Sequence, residues 1–273
     1  MHISVVTPSF RQSDWLRLCV ASVADQGIAH EHIIQDACSD DGTLEWLLKD
    51  SRVTVFVEKD AGMYDAVNRG LRRAKGDLVA YLNCDEQYLP GALALVAEWF
   101  ERHPQVDMVF GDVIKVDEKG SFLSCRRMQT PLLYHTWTCH LSTLTCGTFF
   151  RRSLVERGFE FNPAWRSGGD GEWMVRLLRA GVRMGTLGVF TSVFAETGAN
   201  LGASITGRRE AVALRRTAPV WARVGRPLLI LQHRLRRLIG GMYGKPPGAY
   251  AIYTHASPTK RVVVNVSSRQ GRG

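Results

Sequence analysis

The feature that most constrains the fold is a regular alternation of strand-like and helix-like segments through the first half of the chain. Apolar, β-branched runs predict strands at residues 2–7, 32–35, 53–57, 78–82 and 107–116. The segments between them repeat apolar residues at helical spacing, and such alternation is typical of βαβ units. We therefore expect an α/β fold of the Rossmann-like type, in which helices flank a mostly parallel central sheet.

Polar and acidic residues follow four of these strands at the points where the strands end. They are Thr7, Pro8 and Ser9 after the first strand, Asp36 after the second, Asp60 after the third, and Asn83, Cys84 and Asp85 after the fourth. Ligands of parallel α/β sheets bind beyond the carboxyl ends of the strands, so we expect these residues to share one site. Several like charges at one edge are costly unless a cation or a ligand offsets them.

The segment YLNCDE, residues 81–86, is the sharpest of these signals. An apolar strand delivers Asn83 and Asp85 to its end, and alternate extended residues point to the same side. Mg²⁺ and Mn²⁺ prefer oxygen ligands, and they typically take one or two carboxylates together with substrate phosphates. The residues alone leave a second interpretation open, a polar turn in which Asp85 and Glu86 cap the following helix.

The second half of the chain is less regular. Helical patterns occur at residues 149–157 and 170–179, and late strands are predicted at residues 250–253 and 261–266. The six cysteines form no CxxC pair, and the N-terminus has no signal-peptide pattern, so we expect free thiols in a cytoplasmic protein. A zinc site through Cys139, His140 and Cys146 fits the usual ligand spacings poorly.

Charge is divided unevenly along the chain. Residues 207–273 contain 14 Lys and Arg and a single acid, Glu210, whereas residues 1–206 are slightly acidic. This asymmetry predicts a body at 1–206 and a basic helical C-terminal extension at 207–273, whose last seven residues we expect to be flexible. The partner of such an extension is expected to be anionic.

Residues 226–243 combine a leucine stripe with interleaved arginines. A basic amphipathic helix of this kind is typical of a membrane interface, and we expect it to contact an anionic membrane surface. The alternative is that the apolar stripe packs on the body and the arginines face water. Nucleic acid is not an expected partner, because no aromatic-interleaved binding motif accompanies the charge. No apolar run approaches the roughly 18 residues of a membrane-spanning helix.

Four segments, SVVTPSF, QDACSDDGT, EKDAGMYDAVNRG and YLNCDE, follow one another in an order that resembles the inverting glycosyltransferases of family 2, which have a GT-A fold. TCGTFFRRSL and GGDGEWMVRLLRAG extend the resemblance to about residue 205. Each motif alone is weak, but six in the right order and spacing are specific. The resemblance implies a nucleotide-diphosphate-sugar donor, a saccharide or lipid-linked acceptor, and a divalent metal, Mg²⁺ or Mn²⁺.

The resemblance also implies roles for single residues. Asp170 would be the catalytic base and Asp85 the metal ligand. The residues that would bind the nucleotide sugar are Thr7, Pro8, Ser9, Asp36, Asp60, Gly62, Tyr64, Asp65, Asn68, Asn83 and Cys84. Glu172 is a rival base, although it lies about 200° around the helix from Asp170. Two departures are the uncharged Asn83 in the metal motif and Thr145-Cys146-Gly147, where some relatives carry His or Gln.

These features predict an inverting transfer of a sugar to an acceptor hydroxyl, in cell-surface polysaccharide or glycolipid synthesis, at the inner face of the plasma membrane. Two alternatives remain open. A sugar nucleotidyltransferase would want a Gly-rich, Arg/Lys-bearing loop after the first strand, where this chain has TPSFRQSDWL. A non-catalytic nucleotide- or membrane-binding domain is disfavoured by the presence of both Asp85 and Asp170.

Overall fold

The structure is a computed structural model that describes residues 1–198, 204–244 and 246–266; the tail at 267–273, predicted to be flexible, lies outside the described residues. The strands are β1 (Ile3–Ser9), β2 (His30–Asp36), β3 (Thr54–Val57), β4 (Leu78–Tyr81), β5 (Glu86–Tyr88), β6 (Met108–Asp117), β7 (Phe122–Arg126), β8 (Thr148–Arg151), β9 (Met184–Glu196), β10 (Ala249–Thr254) and β11 (Ser257–Asn265). The helices are α1 (Ser13–Ala24), α2 (Thr43–Leu47), α3 (Met63–Arg73), α4 (Ala92–Arg102), α5 (Leu133–Thr138), α6 (Ser153–Glu156), α7 (Gly169–Arg179), α8 (Ile205–Arg216), α9 (Val220–Val224) and α10 (Arg226–Ile239).

A nine-stranded sheet forms the centre of the molecule, in the order β3-β2-β1-β4-β8-β6-β9-β5, and β7 pairs with β6. The pairs β1–β2, β2–β3, β1–β4 and β6–β9 are parallel, and β5, β7 and β8 run opposite to the other strands. The mostly parallel α/β fold with flanking helices is therefore confirmed. All five strands predicted in the first half are present, each within about three residues of its expected bounds.

The parallel register brings the carboxyl ends of the first four strands to one edge. Ser9 of β1 is opposite Asp36 of β2, and Val6 of β1 is opposite Tyr81 of β4. Every residue of β4 is buried, because β1 and β8 lie on its two sides and helices cover its faces. A buried, rigid central strand fixes the position of whatever follows it, in this chain the turn at Asn83 and Asp85.

The helix predicted at residues 149–157 is wrong. Residues 148–151 form strand β8 between β4 and β6, and only Ser153–Glu156 is helical. Phe149 and Phe150 are both buried, so no polar alternation marks the strand. A continuous apolar run of this kind fits a buried strand and a buried helix equally well.

The C-terminal region contains a hairpin as well as helices. Strands β10 and β11 pair with each other, and Tyr250 and Ile252 of β10 pack on Ile114 and Val193 of the central sheet. Both late strands were predicted, but the extension is less purely helical than expected. No helix among the described residues is long and apolar enough to cross a bilayer. The boundary between residues 206 and 207 remains a prediction.

Arg261 of the hairpin forms several hydrogen bonds with the body. The Arg261 guanidinium donates to both carboxylate oxygens of Asp25 at 2.6 Å, and to the carbonyl oxygens of Ser22, Tyr88 and Ala251. Its side chain is only 11% exposed. Charge-assisted bonds in a nearly dry setting are among the stronger polar contacts in proteins.

We expect Arg261→Ala to lower the free energy of unfolding by about 2 to 4 kcal/mol, because three backbone carbonyls lose a donor and the Asp25 carboxylate keeps only the Tyr253 hydroxyl. Urea unfolding followed by circular dichroism measures this change. Lys260→Ala, at the exposed neighbouring position, is the control and should change little. Equal unfolding midpoints for the two variants would contradict the role given to Arg261.

Candidate active site

A cleft of about 1080 Å³ opens at the carboxyl edge of the sheet. Nine of the residues that the sequence singled out line it: Pro8, Ser9, Asp60, Gly62, Tyr64, Asn83, Cys84, Asp85 and Asp170. Residues separated by more than 160 positions in the chain therefore meet around one cavity, as expected for a site built from strand ends and one later helix. The other four, Thr7, Asp36, Asp65 and Asn68, do not line the cleft.

The wall at the ends of β1 and β2 is held by Asp36, which is fully buried. Its carboxylate accepts bonds from the Ser9 hydroxyl at 2.8 Å and from the Ser39 amide at 2.7 Å and hydroxyl at 2.8 Å. Thr7 is also buried, and its hydroxyl pairs with His32 Nε2 at 2.9 Å. Both side chains therefore shape the loops around the cleft and do not face into it.

A second group of polar contacts organises the entry to α3. Asp60 accepts a bond from the Gly62 amide at 2.8 Å, and Asp65 accepts one from the Ala61 amide at 3.0 Å. Gly62 has φ +127°, and a Cβ there would lie 2.5 Å from Arg166 Nη1. Glycine suits this backbone angle, which other residues rarely adopt, and it leaves room for the Arg166 side chain. Asn68, one turn further on, is buried and bonds the backbone of Phe161 through both amide atoms.

The turn after β4 brings two neighbouring acidic side chains together, one half-buried and one fully buried. Asp85 is half-buried, and burial raises the pKa of its carboxyl group. Glu86 is fully buried; one carboxylate oxygen accepts from the Asn83 amide at 2.8 Å, while the other has no partner among the described residues. Burial, and then the charge of Asp85, raises the pKa of Glu86. Two neighbouring acids in this state would be relieved by a cation, which fits a hard oxygen ligand set of Asn83 and Asp85.

Asp170 stands at the start of α7 on the other side of the cleft. Its amide donates to the Tyr64 hydroxyl at 3.2 Å, and the hydroxyl donates to the Ser167 carbonyl at 3.0 Å. A Cβ at Gly169 would lie 2.6 Å from the Tyr64 ring, so glycine lets α7 begin directly against it. Burial raises the pKa of Asp170 to about 6. Such a carboxylate is still mainly ionised at pH 7 and close to its proton-accepting range.

Glu172 is placed differently from Asp170. It does not line the cleft, and its carboxylate is held in a two-point ion pair by Arg176, at 2.7 and 3.1 Å. An acid paired on its own helix in this way is a helix-stabilising group. The structure therefore distinguishes the two acids: Asp170 lines the cleft, and Glu172 does not.

The loop that leads into α7 is fastened by Glu210, the one acid of the basic region. Glu210, on α8, accepts bonds from the amides of Arg166, Ser167 and Gly168 at 2.7, 2.9 and 2.7 Å. Asp170 follows two residues later. The C-terminal region thus contributes directly to the position of a residue in the cleft, a link that no sequence motif indicated.

Sequence reasoning also missed two cations that line the cleft, Arg11 and Arg166. Arg11 forms a two-point pair with Asp40 at 2.5 and 2.7 Å, and Arg166 donates to the Ala61 carbonyl. A third cation of the lining, Lys59, is exposed and lies two residues after β3, at a strand end where residues of the site are expected. Positively charged side chains that line a cleft favour the binding of a negatively charged ligand.

Comparison with curated proteins gives two informative relatives. TuaG of Bacillus subtilis, a teichuronic acid biosynthesis glycosyltransferase, is 40% identical over 92 residues, covering 32% of this chain and 36% of that protein. A PGL/p-HBAD biosynthesis glycosyltransferase of Mycobacterium tuberculosis is 29% identical over 184 residues, covering 63% of this chain and 68% of that protein. The match to TuaG thus spans about a third of either protein.

Solved structures share the fold at low identity. S. aureus TarS residues 1–349, in complex with UDP-GlcNAc, has a TM-score of 0.63 and 16% identity, covering 88% of this chain and 73% of that one. The mannosyltransferase PcManGT of Pyrobaculum calidifontis, in complex with GDP-Man and Mn²⁺, has a TM-score of 0.57 and 18% identity, covering 90% and 76%. Residues 4–159, more than half of the chain, match the family described as glycosyl transferase family 2. The chain therefore belongs to glycosyl transferase family 2, as the order of its motifs predicted.

Proposed function

We propose that the chain transfers a sugar from a nucleotide-diphosphate-sugar donor to an acceptor hydroxyl with inversion, in the synthesis of a cell-surface polysaccharide or glycolipid. The observation that carries the proposal is that Asp85 and Asp170 line the same cleft, although 85 positions separate them in the chain. One acid can then act beside the leaving diphosphate and the other beside the attacking hydroxyl. The biosynthetic processes in the names of TuaG and of the mycobacterial relative support a product of this cell-surface class.

Asp170 is the proposed base. It lines the cleft as a half-buried carboxylate with a pKa of about 6, so it can accept the proton of an acceptor hydroxyl near neutral pH. Tyr64 and the Glu210-bonded loop hold its backbone, which limits the geometric search before attack. Among the described residues of the cleft, Asp85 is assigned to the cation and Asp60 bonds the Gly62 amide. One carboxylate, Asp170, is therefore proposed to act on the acceptor, which favours direct displacement at the anomeric carbon.

Asp85 is the proposed ligand of a divalent cation, with Asn83 and the donor's phosphates as further oxygen ligands. The raised pKa values of the neighbouring Asp85 and Glu86 carboxyl groups support this assignment, because a bound cation would favour their ionised forms, and PcManGT is in complex with Mn²⁺. When bound, Mg²⁺ or Mn²⁺ would offset the charge that develops on the leaving diphosphate. Lys59 and Arg166 lie in the same cleft and would bind the diphosphate from the protein side.

The acceptor is proposed to be presented at an anionic membrane surface, in line with a peripheral position at the cytoplasmic face. The apolar stripe of α10 points away from the body: Leu228 is 71% exposed and Ile239 86%. The opposite face of α10 carries the contacts to the body, where the Arg236 guanidinium donates to the Thr130 carbonyl and the Arg237 guanidinium to that of Arg127. An outward apolar stripe beside the exposed Arg234, in a strongly basic region, matches an anionic lipid interface.

The function is tested by incubating the chain with a panel of nucleotide sugars and Mg²⁺ or Mn²⁺ and measuring nucleoside diphosphate release. We expect one donor to turn over, and Asp170→Asn to lower kcat by about 10²- to 10⁴-fold, because the amide cannot accept the hydroxyl proton. Donor affinity, measured by calorimetry, should be unchanged. In the wild type, kcat/KM should fall as the pH drops below about 6, where Asp170 becomes protonated.

The matched control is Glu172→Gln, two residues further on the same helix. It should keep most of the activity, since Glu172 is paired with Arg176 and does not line the cleft. Full activity in Asp170→Asn, or a larger loss in Glu172→Gln than in Asp170→Asn, would remove Asp170 as the base.

We expect Glu210→Ala to lower kcat by about 10- to 100-fold, because three loop amides lose their acceptor and Asp170 loses its fixed position. Steady-state kinetics measure the change, and the unfolding midpoint shows whether the variant stays folded. Arg209→Ala changes the exposed neighbouring residue on α8 and should leave kcat as in the wild type. A folded Glu210→Ala variant with wild-type kcat would refute the positioning role.

The membrane proposal is tested by co-sedimentation with vesicles that contain anionic phospholipid. Serines at Leu231, Leu235 and Leu238 should weaken binding by about tenfold or more, because each leucine loses its transfer into the interface. Serines at three scattered exposed leucines, Leu48, Leu95 and Leu123, form the matched control. Equal sedimentation of the two triple variants would discard the α10 surface as a membrane contact.

A further inference from the structure

Three histidines from two distant parts of the chain meet beside the C-terminal helices. His135 lies on α5, His140 in the loop that follows α5, and His233 on α10. The ring centroids of His135 and His233 are 4.0 Å apart, and that of His140 is 4.6 Å from His135 and 5.7 Å from His233. One ring nitrogen from each lies within 4.8 Å of those of the other two. None of the three lines the cleft of the candidate active site.

His135 is unusual because its polar atoms are buried without partners. The residue is 1% exposed, and neither ring nitrogen has a hydrogen-bond partner in the part of the chain that the structure describes. Buried imidazole nitrogens are normally satisfied, since an unpaired polar group in a dry site is costly. His233 is also buried, at 8% exposed, whereas His140 is open to solvent. The orphaned nitrogens point to a ligand that the three rings would share.

The chemical state of the three rings suits a metal. Burial lowers the pKa of His135 to about 3 and that of His233 to about 4, and it lowers the pKa of His140 as well. A neutral imidazole has a free lone pair on one of its ring nitrogens. Neutral imidazole is a preferred ligand of zinc, copper and nickel, and it does not suit the harder Mg²⁺.

We propose that His135, His140 and His233 bind one divalent transition-metal ion, of the class to which Zn²⁺ belongs, at a site separate from the catalytic cleft. Bonds of about 2.0 to 2.1 Å in a tetrahedral site bring ligand nitrogens to roughly 3.4 Å from one another. The rings of His135 and His233 are stacked with their planes 17° apart, so one of them must turn about its Cβ–Cγ bond for both to reach one ion. His140, on an exposed loop, can move towards them. Its solvent side leaves the fourth position for a water or an anion.

Positive charge near the site acts against any cation. Arg126, Arg226, Arg236 and Arg237 all act on these histidines electrostatically. Arg236 and Arg237 reach the site from α10, where their guanidinium groups donate to backbone carbonyls, which do not cancel their charge. This setting favours an anion, such as chloride or hydroxide, as the fourth ligand, because it offsets both the metal and the arginines.

The metal would join α10 to α5. Helix α5 packs on α7, which has Asp170 in its first turn. Helix α10 carries the apolar stripe that is proposed to contact the membrane. His140 is only five residues from Thr145 of the cleft, which bounds their separation at about 18 Å. A bound ion would thus clamp the membrane-facing helix to the catalytic body. Because 98 positions separate His135 from His233 in the chain, metal binding should also stabilise the fold.

The experiment uses the full chain, stripped of metal by chelation and titrated with Co²⁺ alone. Tetrahedral cobalt with nitrogen ligands gives an intense visible d–d band, which an oxygen-ligated octahedral site lacks, so binding at Asp85 does not interfere. We expect one equivalent of Co²⁺ to produce this band in the wild type, and Zn²⁺ to displace it and to raise the melting temperature.

The variant that decides is His140→Ala, because His140 is exposed and its removal leaves the core intact. It should bind Co²⁺ at least about tenfold more weakly and lose the thermal shift, and His233→Ala should do the same. His255→Ala, at an exposed histidine in the β10–β11 turn, is the control and should behave as the wild type. Absence of the band in the wild type, or equal Co²⁺ affinity in His140→Ala and His255→Ala, would overturn the proposal.

Discussion

The parallel register of β1, β2 and β4 is the constraint on which the rest of the structure depends. It places the ends of three strands side by side, so that Ser9, Asp36 and the Asn83–Asp85 turn must meet at one edge. Buried hydrogen bonds then fix the loops, as the Asp36 carboxylate does for Ser9 and Ser39. The acids that this geometry brings together disfavour one another's charged forms, and the proposed cation and diphosphate would offset this effect.

The second half of the chain completes the cleft from the opposite side. Tyr64 of α3 bonds the start of α7, and Glu210 of α8 bonds the loop before it, so that Asp170 is held from two directions. The hairpin is tied to the body in a comparable way by Arg261 and Asp25. The basic C-terminal region is therefore a structural part of the site, while its leucine stripe remains free for a surface.

Much of the first half could be predicted from the sequence, because local patterns decide it. Strands such as β2 are bounded by polar residues, and the helices between them have a clear apolar periodicity. Strand β8 was missed because Phe149 and Phe150 are buried on both faces and show no alternation. The contacts of Glu210 and the grouping of the three histidines were not predicted, for a different reason. Their partners lie more than 40 residues away or on another helix, and only tertiary packing brings them together.

The central claim is that one carboxylate, Asp170, activates the acceptor on the side opposite the leaving diphosphate, with no covalent sugar–protein intermediate. The anomeric configuration of the first-formed product tests it most directly, measured by proton NMR during turnover of the active donor. The account predicts that the transferred sugar carries the configuration opposite to that in the donor. A product with the donor's configuration would contradict a direct displacement and with it the role given to Asp170.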